Sequence, residues 1–262
     1  MASSQDISVA IDNETGVALV RLERPAKRNA FSQAMIDGLV SILAQLDAND
    51  SVRVVVLAGC PDGPFCAGMD IAELSQITTP EGHRRRFLKD LTDAFANFSK
   101  PVVAAVVGYA LGGGFEIALA CDMIIAAEDA VFGLPEVKIG TIPGAGGTQR
   151  LARGLGKQRA MELILTGESI SGKELAASGI VNKTFPRQEV LAQAKGLAER
   201  IGRMSGPVAR LAKQAVLTAE KSHIVEGMAT ERLLYYSTFG LGDFKEGQAA
   251  FLEKRPAMFR HH

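Results

Sequence analysis

The chain has 262 residues, of which 47% are hydrophobic and 22% charged, and its 29 basic residues balance its 29 acidic ones. That length and apolar content allow a substantial core, built as one large domain or one domain with an appendage, and argue against a disordered chain. A net charge of zero supplies no bulk electrostatic pull toward nucleic acid or an anionic membrane, although a local basic patch stays compatible with it.

Three cysteines, Cys60, Cys66 and Cys121, are an odd number without CxxC spacing. A disulfide framework is not expected, and a reducing compartment is the simpler setting. Neither HExxH nor a Cys/His cluster occurs, so no metal site is expected. Met1–Asp6 is short and polar, without the apolar stretch of a signal peptide. The uncharged run Pro101–Phe115 falls short of the ~20 residues of a membrane span. The chain does not end in a Ser-Lys-Leu address. The cytoplasm or the mitochondrial matrix is the expected location.

The chain opens as a hairpin. Ile7, Val9 and Ile11 alternate with polar residues, Asn13-Glu14-Thr15-Gly16 is turn chemistry, and Val17, Leu19 and Leu22 return. A helix begins near Ser32, its apolar positions Met35, Ile36, Leu39, Ile42, Leu43 and Leu46 recurring at helical spacing. Val54–Leu57 reads as a buried strand, Cys60–Met69 as a loop and Asp70–Leu74 as a short helix. Glu81–Phe98 reads as one long helix ended by Lys100-Pro101. Val102–Val107 is a further buried strand, Gly108–Gly114 a glycine-rich turn and Phe115–Cys121 a helix. Met123–Ala126 and Val131–Phe132 are short strands. From about Arg187 the pattern becomes helical throughout, with amphipathic segments near 191–201, 207–219, 224–239 and 244–252. Such an appendage buries little alone and is expected to pack on the core or on another subunit. The pattern predicts an α/β core of wound ββα units, with a conventional βαβ sheet as the alternative.

Three segments carry chemistry. Tyr109-Ala110-Leu111-Gly112-Gly113-Gly114-Phe115-Glu116 joins a buried strand to a helix, where free N–H groups face any developing negative charge. The alternative is a tight turn with close strand–helix packing, and Glu116 as an ordinary first-turn glutamate. Neither GxxxxGK[ST] nor GxGxxG is present there. Phe65-Cys66-Ala67-Gly68-Met69-Asp70 places small residues before a helix, with Asp70 a plain N-cap on the alternative reading. Cys66 reads as a packed residue rather than a nucleophile. Gly133-Leu134-Pro135-Glu136 precedes the run Gly140–Thr148. Glu136 is there either a surface loop residue or a carboxylate in a low-dielectric cleft.

Taken together in order, Arg24-Pro25 to Asn29-Ala30, Phe65–Asp70, Lys100–Val106, Ala110–Glu116, Cys121-Asp122 and Pro135-Glu136 to Arg150 resemble the crotonase, or enoyl-CoA hydratase/isomerase, superfamily. The resemblance runs from Ile7 to Glu253-Lys254-Arg255-Pro256. It implies a crotonase-like spiral of ββα units over 1–195 and a helical C-terminal trimerisation region over 196–262, assembled as a trimer or a hexamer. It also implies an oxyanion hole from the N–H groups of Met69 and Gly113. Glu116 would activate water, Glu136 would deliver the α-proton and Gly144 would line the water site. The main chain at Ala30 and Ala67, with Gly68, Asp70 and Ile71, would meet CoA. Lys27 or Arg28 would pair with its phosphates, and Lys254 and Phe259 would close its site, in this subunit or a neighbouring one. No cofactor is implied, because CoA belongs to the acyl-CoA substrate.

Both glutamates being present favours hydration of a 2-enoyl-CoA thioester to the 3-hydroxyacyl-CoA. Two like carboxylates held close raise one pKa and supply an acid and a base at neutral pH. Δ3-Δ2-enoyl-CoA isomerisation and a methylglutaconyl-CoA-type hydratase are the nearest alternatives. A crotonase-fold RNA-binding protein is the alternative from another class. His83, Arg84, Arg85, Arg86 and Lys89 are offset by Glu81, Asp90 and Asp93, so nucleic acid is not expected.

Overall fold

A computed structural model describes residues 6–61 and 63–262. The segment 1–5, on which the reading of the N-terminus rests, lies outside the described residues. The hairpin forms as expected, β1 (Ile7–Asp12) pairing antiparallel with β2 (Val17–Leu22). α1 (Gln33–Ala48) is capped by the Ser32 side chain on Met35 N–H and buries the six apolar residues read from its periodicity. β3 (Val54–Gly59) follows, then α2 (Ile71–Leu74), with Asp70 as its N-cap.

The single helix expected over 81–98 is two. α3 (Thr79–Arg85) ends at Arg86 and α4 (Lys89–Asn97) begins after Leu88, both flanking residues being left-handed at φ 49° and 68°. The flanks keep helical periodicity, so the pattern does not register a break. The break turns Phe87 and Leu88 into the cavity described below.

Beyond it come β4 (Val102–Val106), β5 (Tyr109–Leu111), α5 (Gly113–Ala120), β6 (Met123–Ala127) and β7 (Val131–Gly133). β5 lies inside the segment read as a turn. A 3-10 turn, Pro135–Ile139, leads to α6 (Gly147–Leu155), α7 (Lys157–Thr166), β8 (Ser169–Ser171), α8 (Gly172–Ala177) and β9 (Lys183–Phe185). The chain closes with α9 (Val190–Gly202), α10 (Gly206–Thr218), α11 (Ile224–Thr238) and α12 (Gly242–Glu253).

One sheet has the order β1-β2-β3-β4-β6-β9, parallel from β2 onward, and a smaller one the order β5-β7-β8. β4 then β5, and β6 then β7, each send their first strand to the large sheet and their second to the small one, which is the winding of the ββα spiral. The large sheet's inner strands are buried on both faces, hence their unbroken Val, Ile and Ala runs. α9 packs on β3, β4 and β6, so the division expected at residue 195 falls inside a helix that lies against the sheet. α10 and α11 bury no residue completely.

Candidate active site

Two isolated parallel bridges hold the loop after β3: Cys66 with Ala110 ties it to β5, and Phe31 with Met69 ties it to the segment before α1. α5 therefore starts hard against that loop. A Cβ at Gly114 would stand 2.5 Å from the Cys66 carbonyl oxygen, so a side chain there cannot be accommodated without moving backbone. The same approach brings Met69 to Gly113, where an added Cβ would lie 3.8 Å from the Met69 nitrogen. Gly113 is the first residue of α5, whose N–H has no partner inside the helix. Among the described residues, neither Met69 N–H nor Gly113 N–H donates to an acceptor in the chain.

Met69 and Gly113 line a cavity of about 300 Å³, which Glu116 and Glu136 also line. Glu116, on the first turn of α5, is 2% exposed. Its Oε1 accepts hydrogen bonds from Ala145 N–H and Gly147 N–H, each 2.7 Å. Burial raises its carboxyl above the ordinary range, while the N–H groups of Gly147, Ala145 and Gly144 and the charge of Arg150 pull it back. Glu136 sits in the 3-10 turn with a buried Oε2 that has no hydrogen-bond partner. Desolvation pushes its carboxyl up to about 7, and the nearby Glu116 charge adds to the rise. Gly112 makes room for Glu136: its φ is 49°, and a Cβ there would meet Glu136 Oε1 at 2.9 Å.

One carboxylate thus holds two fixed donors on a single oxygen, and the other is desolvated and poised to hold a proton near neutral pH. With two unengaged N–H donors at the mouth of α5, the arrangement can stabilise an oxyanion and move protons on either side of an adjacent carbon.

Met69, Gly113, Gly144, Ala67, Gly68 and Ile71 line this cavity with the two glutamates. Lys27, Arg28, Ala30, Asp70, Lys254 and Phe259 do not. Asp70, read as a CoA contact, has its carboxylate occupied within the chain. Its Oδ2 pairs with Arg24 at 2.8 Å and its Oδ1 caps α2 on Ala72 N–H, so both oxygens are engaged. The bond from Arg24 holds its carboxyl below the usual carboxylate range. The Ala30 carbonyl also accepts from Arg24, at 3.0 Å. Lys27 and Arg28 are exposed at the 3-10 turn Pro25–Lys27, and Arg28 O accepts from Ala67 N–H. Lys254 is exposed at the end of α12, and Phe259 lies against Gly247 of the same helix. Within one chain neither approaches the glutamates' cavity.

Sequence reasoning missed the wall residues Phe87 and Leu88, because a helix break without glycine or proline leaves no mark. It also missed Ala145 and Gly147 as the donors to Glu116. The Gly-Ala-Gly-Gly run signalled a special backbone but not its target.

A 44% identical protein of Dictyostelium discoideum, covering 91% of this chain and 86% of its own, is named "Probable enoyl-CoA hydratase, mitochondrial". A Mycobacterium leprae protein named "Probable enoyl-CoA hydratase echA8" is 40% identical, over 97% of this chain and 98% of its own. The crystal structure of "Enoyl-CoA Hydrates Subunit I" from Geobacillus kaustophilus HTA426 superposes with a TM-score of 0.94 at 39% identity, covering 98% of both chains. The family model for enoyl-CoA hydratase/isomerase matches residues 12–262. The chain belongs to the enoyl-CoA hydratase/isomerase family.

Proposed function

We propose that this protein is an enoyl-CoA hydratase, adding water across the double bond of a 2-trans-enoyl-CoA to give the 3-hydroxyacyl-CoA, with Glu116 and Glu136 as its acid–base pair. The observation that carries the reading is one cavity lined by a glutamate with two backbone donors on one oxygen, a desolvated glutamate with an unpartnered Oε2, and two residues whose backbone N–H groups have no acceptor in the chain.

The thioester carbonyl is placed between Met69 N–H and Gly113 N–H. As water adds at C3, negative charge develops on that oxygen, and two preorganised donors stabilise it; loss of one such donor typically costs ~3–4 kcal/mol. Glu116 is the base that takes a proton from the attacking water, because its donors stabilise the anion. Glu136 is the acid that delivers a proton to C2, because its buried oxygen holds one near neutral pH. The pair carries one proton before and after turnover, exchanged between the two residues, so both directions share one pH profile.

The acyl-CoA substrate brings its own CoA, and the reaction as drawn calls on no further group. Among the described residues, no cluster of three or more His, Cys, Asp or Glu is arranged as a metal-ligand set, and no helix is long and apolar enough to cross a membrane. A trimeric or hexameric assembly through the C-terminal helices is part of the proposal. In such an assembly Lys254 and Phe259 of a neighbouring copy close the CoA site. The cytoplasm or the mitochondrial matrix suits three free thiols.

The test is loss of the conjugated-thioester absorbance of crotonyl-CoA. Glu116→Gln and Glu136→Gln should each lower turnover by at least about 100-fold. A 3-enoyl-CoA run in parallel separates hydration from double-bond shift. Near-normal hydration by either variant, or conversion of the 3-enoyl substrate alone by the wild type, rejects the assignment.

A further inference from the structure

Glu116 takes two hydrogen bonds on one oxygen from Ala145 and Gly147, residues that flank a single intervening peptide. That peptide, between Ala145 and Gly146, turns the other way. Its carbonyl oxygen points to Arg150, whose Nη1 donates to it at 3.0 Å. Gly146 is left-handed at φ 101°, and a side chain there would collide with the Arg150 guanidinium. The backbone closes the same unit, Arg150 N–H donating to the Gly146 carbonyl at 2.9 Å. A Cβ at Gly147 would stand 3.0 Å from both Cγ and Oε1 of Glu116, so the loop presses directly on the carboxylate it holds. The guanidinium therefore lies on the outer side of a one-residue hairpin of backbone whose inner side is the cradle for Glu116.

Arg150 is half-buried, and among the described residues it pairs with no carboxylate. An arginine partly withdrawn from water without an acidic partner is a cost, and here the gain is geometric and electrostatic. The charged or titratable groups around the Glu116 unit are few. Glu136 and Lys138 come from the 3-10 turn and line the same cavity. Arg150 comes from α6. At the far end of α5 stand Cys121 and Asp122, with Asp122 paired to Lys213 of α10 at 2.8 Å. Glu220 and Lys221, just beyond α10, line with Arg150, Asp122 and Lys213 a second cleft that neither glutamate lines. Arg150 is the cation built into the cradle itself.

We propose that Arg150 is a positioning residue for the hydration reaction: by gripping the Ala145 carbonyl it aims both N–H donors at Glu116 and keeps that glutamate, rather than Glu136, as the ionised base. This rests on Glu116 acting as base. Removing the guanidinium frees the 145–146 peptide to rotate, loosens both donors together and withdraws a positive charge. All three effects disfavour the Glu116 anion, so the acidic limb of the rate profile moves to higher pH.

Three variants of the full-length protein test this, with crotonyl-CoA hydration followed from acid to alkaline pH. Arg150→Met should lower kcat about 10- to 100-fold while KM changes less than about threefold, because a small misplacement of a catalytic group acts on the chemical step. Its acidic limb should lie at higher pH than that of the wild type. Arg150→Lys keeps the charge and the long stem but loses the planar fork. Its acidic limb should fall between those of the wild type and Arg150→Met, because the charge stays while the donors are misaligned, and kcat should still drop about tenfold. An unmoved limb in a folded Arg150→Met, or wild-type kcat in Arg150→Lys, overturns the proposal, and the lysine variant decides the matter if the methionine one does not fold. Glu116→Gln is measured alongside. If it turns over normally the hydratase reading itself fails, an outcome distinct from a failure at Arg150.

Discussion

Glu136 and Glu116 are the same residue type placed in one cavity, and their surroundings set them to different tasks. Glu116 meets two fixed donors on a single oxygen; Glu136 has an oxygen with none. Burial pushes Glu136 up to about 7, so hydration should decline on the alkaline side with a midpoint near that value as the acid loses its proton. A pH profile of kcat/KM checks this, and an alkaline limb unchanged in a partly active Glu136 variant would contradict it. The same shift has a cost to the fold. The native state holds the Glu136 proton more tightly than the unfolded chain, whose glutamates titrate near ~4.3. Stability is therefore undiminished below the unfolded value and is lost as pH rises through about 7. Glu136→Gln removes the penalty, so its melting temperature should exceed the wild type's at about pH 8 and converge with it at about pH 4. Equal melting temperatures at the higher pH would show that burial does not strain this carboxyl.

Among the elements, the β5–α5 junction does the positioning. Gly112 holds φ 49° and ψ −127°, a conformation closed to side chains, and it faces Glu136 Oε1. Gly112→Ala should destabilise by about 1–3 kcal/mol through backbone strain and lower turnover more than a change of that size elsewhere on the chain, because the added methyl drives into the acid. Chemical denaturation and the crotonyl-CoA assay measure both. Full activity in the alanine variant would mean that the junction relaxes without disturbing Glu136. The break between α3 and α4 is the second such device. Two non-glycine residues in left-handed conformations, each costing on the order of 1 kcal/mol, bring Phe87 and Leu88 into the cavity wall. The third is the loop before α6, where one peptide faces Arg150 and its neighbours face Glu116.

For the molecule as a whole, the unpaid surface is at the C-terminal end. α11 and α12 leave Ile224, Leu233 and Phe251 at 76%, 68% and 83% exposure, and the exposed rings of Tyr235 and Tyr236 meet Phe239 edge-on and tilted. An apolar face of that kind on a chain of zero net charge favours association. Light scattering at micromolar concentration should give a trimer or hexamer, and Leu233→Asp should shift it toward smaller species. A monomeric wild type would remove the oligomer from the proposal. The tail beyond α12 is fastened, not loose. Arg255 pairs with both oxygens of Glu246, and Asp243 accepts from the N–H groups of Arg260 and His261. Lys254 and Phe259 are thereby held at the surface, away from their own chain's glutamates.

Much of this was legible before any coordinates. Local periodicity marks α1, β3, β4 and the four C-terminal helices, because a buried face imposes its spacing on the residues that form it. The family resemblance, not local spacing, points to Glu116, Glu136, Met69 and Gly113; the glycine run by itself marks only the strand–helix junction where α5 begins. Residues 147–186 stayed unread: short, half-exposed elements carry weak patterns. The partners of each charge were also beyond reach. The carboxylate of Asp70 is engaged by Arg24, 46 positions away, and no local spacing announces that pair. Whether Glu136 stood in water or in a dry cleft depended on which distant segments folded over it, and no local spacing encodes that. Desolvation is a property of packing, and with it go the pKa, the protonation state and the division of labour between two otherwise identical side chains.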